Sequence, residues 1–126
     1  MSGPEELSRR IDLIERGYEY LLAYAAQGRP NEAGSEARQT LEAMFAALDG
    51  LAELLTAAAG AVSPASEGAA AGFMDAIRDD ARKARGAIGL VLSRPAISSL
   101  LIDNLNASIH VRALLTDIFL VEQALK

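Results

Sequence analysis

Apolar residues recur at steps of three and four along most of this chain, the spacing that gathers side chains on one face of an α-helix. Four such stretches are separated by clusters of helix breakers. From about residue 4 to 27 the stripe is Leu7, Ile11, Ile14, Tyr18, Leu21, Leu22 and Ala25. Ser2 and Glu5 have the spacing of a capping box, Pro4 suits a first helical turn, and Gly28 suits a stop. From about 36 to 59, behind Ser35 as cap, the stripe is Leu41, Met44, Phe45, Leu48, Ala52, Leu55 and Ala59. From about 67 to 92 it is Phe73, Ile77, Ala84, Ile88 and Val91, with Gly72, Gly86 and Gly89 inside the helix.

The last stretch, from about 96 to 124 with Ser93 as its cap, is the most apolar. Ile97, Leu100, Leu101, Leu105, Val111, Leu115, Ile118, Phe119 and Leu125 cover a broad face, and Ile102, Ile109, Leu114 and Val121 widen it. Only a strip with Ser99, Asp103, Asn106, His110 and Asp117 is polar. The breakers lie at Gly28-Arg29-Pro30-Asn31 with Gly34, at Gly60 to Ser66 around Pro64, and at Ser93-Arg94-Pro95. Short connections favour antiparallel neighbours. The pattern therefore predicts an all-α, single-domain chain over residues 1–126, an up-down-up-down four-helix bundle.

Two departures from a simple bundle pattern suggest sites. The first helix carries a second strip, Leu13, Tyr20 and Tyr24 with Gly17 between them. Surplus apolar surface with a central glycine predicts an interface, and tyrosine suits one because its ring is apolar and its tip polar. The wide arc of the last helix points the same way. Secondly, polar residues fall where periodicity asks for core: Asp80, Asn104, Ser108 and Glu122, with Arg112 at the margin. Folding the last two helices back at Pro95 with equal rise sets Asp80 opposite Ile109, near Ser108 and Arg112, at the level of Tyr18. A buried carboxylate needs partners. A layer of Tyr18, Asp80, Asn104, Ser108 and Arg112 is expected, either as a network fixing helix register or as a small-molecule pocket.

Composition narrows the chemistry. With 126 residues, 51% hydrophobic, the chain can bury a core; with 5% aromatic and no Trp, that core is mainly Leu, Ile and Ala. It has no cysteine, which removes disulfides and thiolate sites and suits a cytoplasmic setting. The formal charge is −5. Its one basic cluster, Arg78, Arg82, Lys83 and Arg85, alternates with Asp75, Asp79 and Asp80, so nucleic acid is not an expected partner. No stretch reaches the ~20 apolar residues of a membrane span, and the N-terminus has no apolar signal core.

A single histidine and no Glu-x-x-His argue against di-iron and His-rich zinc sites, and no metal or other cofactor is expected. Neither a Gly-x-Ser-x-Gly elbow nor a phosphate-binding Gly-rich loop is present. His110 on its polar strip resembles the histidine of histidine-phosphotransfer domains, which are helical bundles of similar size. That family's His-x-x-Lys-Gly here reads His110-Val111-Arg112-Ala113, with the basic residue displaced. The residues thus suggest a non-enzymatic helical interaction or accessory protein, a homodimer or the partner of another helical protein. The alternative is a small-molecule-binding bundle or small enzyme with its site in the interior.

Overall fold

The computed structural model describes residues 2–62 and 64–124, and of residues 60–70 the backbone course alone. Regular structure among them is entirely helical, in six helices: α1 Gly3–Ala25, α2 Ala37–Leu48, α3 Leu51–Val62, α4 Pro64–Leu92, α5 Ser99–Ala107 and α6 His110–Ala124. The all-α expectation holds. The expected four helices are six, because two of them break.

The first break lies inside the helix expected over 36–59. Asp49 leaves helical geometry and Gly50 takes φ 72°, a left-handed conformation that costs a residue without Cβ little. The apolar pattern hides this break. Leu48, Leu51, Ala52 and Leu55 are all buried, so the stripe continues across the corner. The second break lies inside the helix expected over 96–124. That helix starts later, at Ser99, with Ser98 as cap accepting the Leu101 N–H at 3.0 Å. Ser93, the expected cap, instead donates its hydroxyl to the Leu90 carbonyl at the end of α4, 2.6 Å away. Ser108 then closes α5, its hydroxyl donating to the Leu105 carbonyl at 2.6 Å. Ile109 follows at φ 61°, where a β-branched side chain crowds its own backbone.

Other ends move less. Ser2 caps α1 as expected, accepting the Glu5 N–H at 3.2 Å, and the helix stops at Ala25 rather than Gln27. The connection expected at Gly60 to Ser66 narrows to residue 63, which lies outside the described residues, as does Leu125 of the last stripe. α1 packs on α2, α3 and α5, while α4 packs on α2, α3 and α6. Ile14, Leu21, Leu41, Met44, Leu51, Ile77, Ile88, Ile102, Leu114 and Ile118 are fully buried between them. Burying each such side chain contributes roughly 1.5–3 kcal/mol.

One end of the molecule is tied by a polar clasp between the loop after α1 and the loop after α4. The buried Tyr24 hydroxyl donates to the Ile97 carbonyl at 2.6 Å. Ser99 donates its hydroxyl to the Tyr24 carbonyl (2.7 Å) and accepts the Arg29 N–H (2.9 Å), while its own N–H reaches the Arg29 carbonyl (2.8 Å). Glu32 accepts the Ile97 N–H at 2.8 Å and pairs with Arg38 at 2.6 Å. Arg38 continues to the carbonyls of Leu92 (3.1 Å) and Arg94 (2.9 Å). Thus the loop groups freed by the missing ladder find partners across the gap.

Two outcomes follow for stability. The Glu32 carboxyl is held below its ordinary 4.5, first by the Ile97 N–H and further by its own N–H and Arg38. Glu32→Gln can serve Ile97 or Arg38 but not both, and is expected to cost about 2 kcal/mol at neutral pH. As pH falls below about 4.5 the unfolded chain takes up this proton first, so the wild type loses the advantage on acidification. Urea midpoints at pH 7 and about pH 3.5 check both statements: the two proteins converge in acid. Ile109→Asn, which tolerates the left-handed region at an exposed position, is expected to gain about 1 kcal/mol. A raised urea midpoint with unchanged slope is the signature.

Candidate functional site

The expected polar layer is not assembled. Asn104 and Arg112 are exposed, Ser108 closes α5, and Tyr18 is half-buried against the core. Asp80 alone turns toward another ionisable group, and that group is Asp117 on α6. Equal rise along two straight helices would place Ile109 at this level, about eight residues earlier, or roughly 12 Å of helix. The difference arises because α5 packs chiefly along α1 rather than back along α4, and because the chain breaks at Ile109 before α6 meets α4.

Asp80 and Asp117 bring two carboxyl groups within hydrogen-bonding reach across the α4–α6 seam. Burial, then the hydrogen bond to Asp80, then repulsion from its charge lift Asp117 from the ordinary 3.8 to about 6. No donor among the described residues reaches the buried Oδ2 of Asp117. Among the described residues there is no group of three or more histidine, cysteine or acidic side chains placed to hold a metal. Sequence periodicity put Asp117 on a polar strip; nothing local marked it as facing Asp80.

The second strip of α1 is turned inward. Gly17 is buried against α2, where a Cβ would stand 2.6 Å from Met44 Sδ and 2.7 Å from its Cγ. Tyr24 is consumed by the clasp. Tyr20 stacks on it, ring centroids 6.3 Å apart, and its hydroxyl accepts the Glu36 N–H at 3.0 Å at the start of α2. Three of the four expected interface residues, Gly17, Tyr20 and Tyr24, therefore make contacts within the chain itself. Leu13 and Tyr20 remain half-buried beside an open groove of about 380 Å³ between α1 and α2, flanked by Arg9, Arg16, Glu36 and Thr40.

Among the described residues, large apolar side chains are exposed singly at Leu22, Leu90, Leu100 and Ile109, and as neighbours on α6 at Phe119 and Leu120. The inner face of α6, Val111, Leu114, Leu115, Ile118 and Val121, is buried. Opposite, Thr116, Phe119, Leu120, Gln123 and Ala124 are exposed and uncharged, with Leu120 at 58% and Phe119 at 39%. His110 opens α6, half-buried, rather than standing in mid-helix. Two arginines of the basic cluster of α4 are paired locally, Arg78 with Asp75 at 3.2 Å and Arg82 with Asp79 at 3.5 Å; Arg85 lies 3.8 Å over the Phe45 ring of α2, and Lys83 is exposed. Among the described residues no helix is long and apolar enough to cross a membrane. Compared with protein-family models, with curated proteins and with solved structures, the chain matches none.

The Gly17–Met44 contact generates its own test. Gly17→Ala gains helix propensity of up to ~1 kcal/mol but overpacks a closed seam at roughly 1–3 kcal/mol, so a net loss of about 1 kcal/mol is expected. Combined with Met44→Ala, which vacates the space, it should cost less than the sum of the two single changes. A double-mutant cycle read by thermal unfolding checks the coupling.

Proposed function

We propose that this chain is a non-enzymatic helical interaction protein that associates with a second copy of itself through the outer face of α6. The observation that carries this reading is the double-sided apolar character of that helix. One face is spent on the core; on the other, Thr116, Phe119, Leu120, Gln123 and Ala124 are exposed and uncharged, with Arg112 one turn before Thr116 at the N-terminal end of that face. Thr116, Leu120 and Ala124 recur four apart, so they form a narrow ridge with Phe119 beside it. Small residues on either side of Leu120 suit close approach of another helix, and a twofold arrangement would bury the same face on both copies.

The fold reading that goes with this is four antiparallel rods, two of them bent, with α2–α3 and α5–α6 each acting as one rod. The absence of cysteine and the local pairing of Arg78 and Arg82 support a cytoplasmic protein whose partner is a protein rather than nucleic acid.

Light scattering across a dilution series tests the main reading. The wild type is expected at twice the 13.3 kDa chain mass. Leu120→Arg, a change at an exposed position, is expected to return it to single-chain mass with its helical content intact. A wild type that remains single-chain at every concentration overturns the proposal.

A further inference from the structure

The α4–α6 seam contains an arrangement that ionised groups alone cannot satisfy. Asp80 and Asp117 face each other with carboxyl groups in hydrogen-bonding reach, and Asp117 Oδ2 is buried with no donor among the described residues. Both groups, when ionised, are acceptors only. Repulsion between two such neighbouring charges is a severe penalty at any dielectric suited to a protein. A single proton removes the repulsion and supplies the missing donor.

Among the described residues, the charged group facing Asp117 is Asp80 of α4, and no ionisable side chain of α1, α5 or α6 acts on it. The nearby cations of α4 are engaged elsewhere: Arg78 with Asp75 and Glu53, Arg82 with Asp79, and Arg85 with the Phe45 ring and carbonyl. Lys83 and Arg112 are exposed. Around the pair, Ile77, Ala81 and Ala84 of α4 and Leu114, Ile118 and Val121 of α6 are buried, so the seam is otherwise apolar.

We propose that Asp80 and Asp117 form a proton-operated latch: one proton taken from solvent and shared by the two carboxyls holds α6 against α4, and its loss loosens that seam. The titration belongs to the pair. With Asp117 lifted from 3.8 to about 6, the folded chain binds more protons than the unfolded chain across that window. Stability from the latch is therefore full in acid and declines as pH rises through about 6. The latch rests on α4–α6 geometry and stands whether or not α6 also meets a second copy.

The test is the folding constant from urea unfolding at pH 5 and pH 8, at one fixed protein concentration, for the wild type, Asp117→Asn and Asp80→Asn. The wild type is expected to lose about tenfold in folding constant from pH 5 to pH 8. Asp117→Asn carries a permanent donor toward Asp80, so its loss over the same range is expected to vanish, leaving it more stable than wild type at pH 8. Asp80→Asn serves the same purpose from the other side should the first variant fold poorly. His110→Gln is expected to keep the wild-type loss. Amide hydrogen exchange should show α6 opening faster at pH 8 than the intrinsic rate change explains, and Asp117→Asn should abolish that excess. A wild-type loss that survives both asparagine variants, or that disappears in His110→Gln, overturns the latch.

Discussion

The clasp between the loops after α1 and α4 is the constraint on which the arrangement depends. Six helices with short connections can be packed in several ways, since apolar stripes attract without direction. Hydrogen bonds do have direction. Glu32 accepting from Ile97, and Ser99 joined to both Arg29 and Tyr24, hold the chain after α4 at the C-terminal end of α1. That placement lays α5 along α1, where Asn106 reaches the Leu21 carbonyl at 3.3 Å. α6 is then delivered to α4 at the level of Asp80. The clasp thus sets which residues meet at a distance.

Helix breaks decide the rest of the register. Gly50 and Ile109 are the positions where the chain turns a corner while its apolar stripe runs on. At Gly50 the corner lets α2 and α3 both follow α1 and α4. At Ile109 the corner costs backbone strain, which is accepted because Val111, Leu114 and Ile118 then reach the core. A straight helix from 96 to 124 would have brought Ser108 and Arg112 toward Asp80. The bent one leaves Arg112 in water and Asp80 against another acid.

Close packing accounts for the fate of the α1 strip. Gly17 allows α2 to approach, but the approach is internal, with Met44 filling the space that a side chain would take. Tyr20 and Tyr24 likewise direct their hydroxyls to backbone groups of the same chain. A glycine beside tyrosines marks a tight seam; whether that seam joins two helices of one chain or of two is invisible locally. Among the described residues, α6 is where two exposed large apolar side chains, Phe119 and Leu120, stand side by side.

What the sequence determined by itself is the helical class, the cap at Ser2, most of the inward stripe residues, the local pairing of Arg78 and Arg82 and the over-wide apolar arc near the C-terminus. Each depends on neighbours within a turn or two, where spacing alone sets geometry. Only the tertiary structure decided the corners at Gly50 and Ile109, the clasp joining Tyr24, Glu32 and Ser99, the inward turn of Gly17, and the meeting of Asp80 with Asp117. Those depend on where loops deliver distant segments. A stripe with a period of three or four reads the same through a bend as along a straight helix, so periodicity carries no record of them.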